Sequence, residues 1–190
     1  MWVSGSAETA PRIELVGNRF ECRGSHVVFQ TAARQIDIRG NAFLGGTNGV
    51  NLDLREPLPD EAICIANNTF FNTKYWIGLL PARTEKPCGT ICNNLVLGSQ
   101  RVQGTPSDWQ QATTTWSIHH NLWEIDVGQL GEYRPIAEKL ASLTPTVELV
   151  SRDAAHAGFL RPPLDSLLLN SGAGTEWPAH IGALLPSTSP

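Results

Sequence analysis

Through the first two thirds of the chain, apolar residues recur two apart in short bursts, separated by small and polar residues. Leu15, Ile38, Ile65, Ile91 and Ile118 each stand three residues before an Asn, and Ile13, Ile36, Ile63, Gly89 and Trp116 stand two residues earlier again. This alternation predicts a short strand with one buried face. Two residues after each Asn comes a second inward column, Phe20, Phe43, Phe70, Val96 and Trp123. Nine and eleven residues after it, Val27 with Phe29, Val50 with Leu52, and Ile77 with Leu79 predict a further strand in the first three copies; Gln103 and Thr105 break the rule in the fourth.

Aligned on the Asn, the copies read LVGNRF, IRGNAF, IANNTF, ICNNLV and IHHNLW, with Asn18, Asn41, Asn68, Asn94 and Asn121 at spacings of 23, 27, 26 and 27. Just before the Asn stand Gly17, Gly40, Asn67, Asn93 and His120. Gly is the default for positive φ, and Asn and His are enriched there, so each copy is expected to bend sharply at this point. His120 therefore has a backbone role rather than a place in a catalytic His pair. A unit this small cannot bury its apolar face alone, but stacked copies share one core. Parallel pairing at about 4.8 Å would make five turns a stack of roughly 24 Å. The Asn side chains would stack as well, each amide giving to and accepting from its neighbours or the turn backbone.

Strand, bend, Asn-x-Phe and second strand at this period resemble the right-handed parallel β-helix of pectate lyases and many bacterial surface proteins. The resemblance covers about Arg12 to Ile125 and implies an all-β solenoid of about five turns, residues 1–125. Residues 126–190 form a C-terminal segment that closes it. Within that segment RPIAEKLASL, 134–143, has helical spacing with Pro135 suited to a first turn. The ending FLRPPLDSLLLNSGAGTEWPAHIGALLP resembles the closing string of bacterial β-helix proteins, including C-terminal parts of large planctomycete-type chains, some with a Ser/Thr kinase module. No kinase motif occurs here. Because the first turn begins almost at once, either residues 1–11 form a minimal cap or the chain is part of something longer, and the second is preferred. An open first turn would promote end-to-end association; otherwise a monomer is expected.

Composition narrows the partners. Lys and Arg number 14 against 18 Asp and Glu, a net charge of −4, with no basic run, so the electrostatic footprint for nucleic acid is missing. No apolar run is long enough for a membrane span, and the opening lacks the features of a signal peptide. With 17 Gly and 13 Pro the chain is turn-rich. Its four Cys form neither a disulfide framework nor a paired zinc signature. The compartment is left open.

The outward face of the first strand reads Glu14, Asp37, Cys64, Thr90, Ser117, then Val16, Arg39, Ala66, Cys92, His119. Glu14 and Asp37 should be neighbours with Arg39 diagonal to them; two carboxylates can share a proton or bind calcium, and the resemblance to lyases implies an Arg in proton abstraction. These columns supply too few carboxylates for a lyase calcium site. A second outward set is Asn51, Asp53 and Arg55, with Glu56 beyond, suited to touching a glycan. Cys64, Cys88, Cys92 and His119 have zinc-ligand chemistry, with Cys92 stacked on His119, but Cys88 and Cys92 would lie too far apart along a strand to share an ion. Thiols beneath a covering loop are the plainer expectation. Trp116 and Trp123 fall in core columns. Trp76 beside inward Ile77 should point out and, with Tyr75 and with Trp109 in the polar loop QGTPSDWQQATTT, line a sugar-binding groove.

The leading functional expectation is a non-catalytic module that binds glycan or protein along its outward faces, or a structural extension. One alternative is a polysaccharide lyase or hydrolase using Asp37 and Arg39 or Asp53, with calcium needed only in the lyase case. Another is an accessory domain of a kinase-containing chain.

Overall fold

The computed structural model describes residues 1–3, 12–29, 35–53, 63–80, 89–172 and 180–183. A short strand β1 (Trp2–Val3) precedes the coils. The first coil holds β2 (Arg12–Val16), β3 (Arg19–Glu21) and β4 (Ser25–Phe29); the second holds β5 (Gln35–Arg39), β6 (Ala42–Leu44) and β7 (Asn48–Asp53). The third holds β8 (Ile63–Ala66), β9 (Thr69–Phe71) and β10 (Tyr75–Leu80); the fourth, β11 (Gly89–Cys92), β12 (Leu95–Leu97) and β13 (Arg101–Gln103). Helix α1 (Pro106–Thr115), strands β14 (Trp116–His119) and β15 (Leu122–Glu124), helix α2 (Arg134–Leu140) and strand β16 (Ser142–Thr144) follow.

All pairings between these strands are parallel and join successive coils, giving three sheets. Sheet A runs β1-β4-β7-β10-β13, sheet B β2-β5-β8-β11-β14 and sheet C β3-β6-β9-β12-β15-β16. The chain is a parallel β-solenoid, as the repeat predicts, but the regular coil is repeated about three times rather than five. In the fourth coil β13 is only three residues long and slips register against β10, and beyond it α1 occupies the stretch between β13 and β14.

Every bend predicted from the column before the Asn is present. Gly17, Gly40, Asn67, Asn93 and His120 have φ of 67°, 63°, 53°, 55° and 53°. A second left-handed column lies four residues after the Asn, at Gly45, Asn72 and Gly98, with φ of 69°, 55° and 66°. It turns the chain from sheet C into sheet A, and in the first coil its place is taken by Cys22.

The Asn ladder is continuous. Asn18, Asn41, Asn68 and Asn94 each donate both backbone N and Nδ2 to Oδ1 of the next Asn at 2.9–3.1 Å. From Asn41 onward Nδ2 also reaches back to a strand carbonyl of the preceding coil, Leu15, Ile38, Ile65 or Ile91, at 2.7–3.0 Å. Four of the five ladder residues are at most 2% exposed, so these bonds answer groups that water could not reach.

Beside the ladder runs an aromatic stack. Phe20, Phe43 and Phe70 lie face to face with centroids 5.0 and 4.9 Å apart. The fourth member of the column is Val96, and the space a larger ring would fill is used by Trp76, 5.6 Å from Phe70 and 5.9 Å from Trp123. Trp76 is fully buried, contrary to the outward position expected from alternation. At this corner Trp76 and Ile77 both face the core. Gly49, in register below Trp76, makes the room: a Cβ there would sit 2.5 Å from the Phe70 ring and 2.6 Å from Trp76 O.

Trp109 is also fully buried rather than lining a groove. The stretch read as a polar loop is α1, started by a capping box in which Thr105 and Asp108 satisfy each other's backbone N–H, with Pro106 in its first turn. The signal was present as Thr-Pro-Ser-Asp. Trp109 and Ala112 face the core, and Trp109 Nε1 donates to Gln103 O at 2.9 Å. The expected helix 134–143 stops at Leu140, because Ser142–Thr144 pairs with β15 as the last strand of sheet C.

Candidate functional site

The predicted outward columns of sheet B are in register: Glu14, Asp37 and Cys64 align, as do Val16, Arg39 and Ala66. The two carboxylates do not form a shared acidic site. Glu14 pairs with Arg12 at 2.6 Å and Asp37 with Arg39 at 2.5 Å, and Asp37 is only 5% exposed. Among the described residues no hydrogen-bond donor reaches Asp37 Oδ1.

Asn51 and Asp53 stand half-exposed on β7. The Asn51 side chain leans over Gly78 toward Gln103: a Cβ at Gly78 would lie 2.8 Å from Asn51 Oδ1 and 2.9 Å from Gln103 Oε1. Arg55 and Glu56 lie outside the described residues.

Cys92 and His119 are register partners, as expected, but no group of three or more metal ligands occurs among the described residues. Cys92 is fully buried, and burial pushes its thiol up to about 11. Residues 180–183 run across the adjoining bends, where Asn67 Nδ2 donates to His180 O at 2.6 Å and Gly182 N to Asn93 O at 2.8 Å. His119 turns instead to His120, with the two Nδ1 atoms 2.9 Å apart; burial and then the charge of His120 hold His119 below its ordinary 6.5. Cys64 is half-buried, and Cys88 lies outside the described residues.

A different place gathers chemistry. Between the outward face of sheet C and the segment around Phe159 is an open cleft of about 680 Å³. Arg19, Glu21, Cys22 and Arg23 of the first coil, the Gly45–Thr47 turn of the second, and Phe71, Asn72 and Lys74 of the third line it, with Ala154 and Phe159 opposite. Phe159 stands edge-on to Phe71 at 5.5 Å, and the Arg19 guanidinium lies 5.5 Å over its ring. Three cations thus face one carboxylate, in a chain whose net charge is −4. Glu21 is 3.5 Å from Arg19 and the Lys74 ammonium lies 5.2 Å over the Tyr75 ring, and the cleft as a whole keeps a positive balance.

At the first-coil end of the cleft stands the exposed residue Cys22, with its Sγ 3.3 Å from His26 Nδ1, and His26 Nε2 is 2.8 Å from Gly45 O. Burial holds His26 below its ordinary 6.5, opposed by the Gly45 carbonyl. Neither residue stood out in the sequence. Their spacing of four residues means little without the turn that brings both onto Gly45 of the next coil.

Comparison with protein-family models, with curated proteins and with solved structures finds no match, so what is shown of this chain is its fold, a parallel β-solenoid with an internal Asn ladder.

Proposed function

We propose that the chain is a non-catalytic binding module for acidic polysaccharide, held in the cleft beside sheet C. The observation that carries this reading is the convergence of Arg19, Arg23 and Lys74 with the rings of Phe71 and Phe159. Cations answer carboxylates or sulfates, and flat apolar walls suit sugar rings. Arg19 and Arg23 belong to the first coil and Lys74 to the third, about 9.6 Å along the stack. Charges at that separation suit a polymer whose acid groups repeat from sugar to sugar.

A lyase or hydrolase reading draws no comparable support from Asp37 and Arg39. An acid and base must be able to exchange protons with a substrate, whereas Asp37 is buried and tied to Arg39.

Titration calorimetry of the purified chain with polygalacturonate, heparin and a neutral dextran tests the proposal. Binding to an acidic polymer and not to dextran, weakened about tenfold or more by Arg23→Glu with Lys74→Glu and by added salt, is expected. Absence of binding to every acidic polymer, or binding indifferent to both substitutions, would overturn it. Release of chain ends from a polymer would instead move the reading to an enzyme.

A further inference from the structure

We propose that Cys22 and His26 form a thiol-exchange site that takes small disulfides bearing carboxylates. The geometry fixes the roles. Gly45 O, 2.8 Å from Nε2, can only accept, so Nε2 carries the ring proton and Nδ1 presents its lone pair to the thiol 3.3 Å away. The imidazole is held in place: it is 3% exposed and stands edge-on to Phe43 at 5.8 Å. Gly46 completes the fit, because a Cβ there would come within 3.0 Å of Nε2 and 2.5 Å of Gly24 O. Thiol, base and a third group that orients the base are the three parts of an activated nucleophile.

Among the described residues Cys22 has one other acceptor within reach, Gly24 O, at the longer distance of 3.4 Å. Cys22 is exposed and lines the cleft, whereas Cys92 is buried. Arg19, Arg23 and Lys74 around that cleft attract an anionic partner. The cationic rim is shared with the polysaccharide reading, but the dyad stands without it.

The step is one disulfide exchange. As Cys22 Sγ attacks one sulfur of R–S–S–R, its proton passes to His26 Nδ1, the incoming S–S bond breaks, and the departing thiolate takes the proton back as R–SH. A mixed disulfide on Cys22 is left; Cys22 is oxidised, and the released half of the reagent, which is the oxidant, is reduced.

The test treats the full chain with the dianionic 5,5′-dithiobis(2-nitrobenzoate) and the uncharged 2,2′-dithiodipyridine. Rates are normalised to a Cys peptide, and the site is mapped by mass spectrometry. Cys22 is expected to react first, about tenfold or more faster than the peptide at neutral pH, with the larger enhancement for the anionic reagent. Arg23→Glu with Lys74→Glu should shrink that preference, read as the ratio of the two rates.

His26→Gln should remove the enhancement. Because His26 is packed in the core, the pH profile of the unmodified chain provides a second readout that needs no variant. Among the described residues the titratable groups near the ring are the Cys22 thiol, which faces Nδ1, and the Met1 ammonium, which donates to the backbone carbonyl His26 O at 2.7 Å. A dyad reacts with a half-maximum at or below the ordinary imidazole value of about 6.5, whereas an uncoupled thiol has its own near 8.5. A midpoint near 8.5, or a Cys22 rate equal to the peptide's, would overturn the dyad. Equal enhancement for both reagents would overturn the ligand class. Failure of polysaccharide binding alone would touch neither readout.

Discussion

Asn121 donates its Nδ2 to Leu140 O at 2.9 Å as well as to Ile91 O at 3.0 Å, so the last rung of the Asn ladder is closed by the end of a helix. The next backbone link in the same place, Ser142 N to Asn121 O at 2.8 Å, starts the final strand of sheet C. Ladder and C-terminal segment are thus one hydrogen-bonded unit.

Removing an inner rung should cost far more than removing the outer one. Asn68→Ala would leave Asn41 N and Nδ2 without their acceptor and Ile38 O without its side-chain donor in a fully buried site. A loss of about 2–5 kcal/mol is expected. Asn18 is exposed, and Asn18→Ala should cost under about 1 kcal/mol. Urea unfolding of the two variants checks the difference; equal losses would mean that the ladder is not what holds the coils.

The bend column should accept the residues it already uses. Gly40 has φ of 63° and its nearest neighbour to a new Cβ, Gly17 N, is 3.8 Å away, so conformation rather than space decides the outcome. Gly40→Asn should stay within about 1 kcal/mol of the parent, while Gly40→Val should lose about 2 kcal/mol or more. Thermal melting of the pair provides the comparison.

Gly49 faces the opposite constraint. Its φ is unremarkable and its surroundings are full, with the Phe70 ring 2.5 Å from a built Cβ. Gly49→Ala should destabilise by about 1–3 kcal/mol through overpacking and should disturb Trp76. A shift in near-ultraviolet circular dichroism together with the stability loss would register both effects.

Acidification should weaken the fold from the histidine range downward. His26, His119 and His180 are all held below their ordinary 6.5, in each case first by burial. The unfolded chain then binds more protons than the native one as pH falls below about 6.5, so stability is fully present above that value. It is lost as pH drops through the depressed native values. Melting temperatures should fall between pH 7.5 and 5.5, and the fall should be smaller in His26→Gln; a flat profile over that interval would contradict the assignment.

Cys92 should be silent in the native protein. With its thiol pushed up to about 11 and its side chain fully buried, it should react with iodoacetamide only as fast as the chain opens. Peptide mapping over a urea series would show its labelling rise with unfolding, in contrast to that of Cys22.

The coil was legible because its constraints repeat. One Asn, one bend and two apolar columns recur in sequence, and the same Asn, bend and columns recur in space. What escaped was local to one coil. Alternation predicts one inward residue in two, but the corner after Tyr75 turns both Trp76 and Ile77 inward, into room left by Val96 and Gly49. The capping box of α1 was written in Thr105, Pro106 and Asp108 and was hidden by the polar residues around it. The columns placed Asp37 and Arg39 correctly, but register says nothing of burial or of the ion pair that joins them. Cys22 and His26 become partners only because a carbonyl of the following coil reaches the ring, a relationship spread over 19 residues of sequence.

Each inner rung of the ladder presents the same acceptor to the coil before it and the same donors to the coil after it. A coil placed between two others would find both partners already waiting, while the segment that ends at Leu140 would still close the last one. The solenoid can therefore grow by cassettes of about 27 residues, the usual spacing of its Asn, without any change to the cassettes it already has. Length is the dimension that a single duplication can alter, and each added cassette would lengthen sheets A, B and C by one strand apiece.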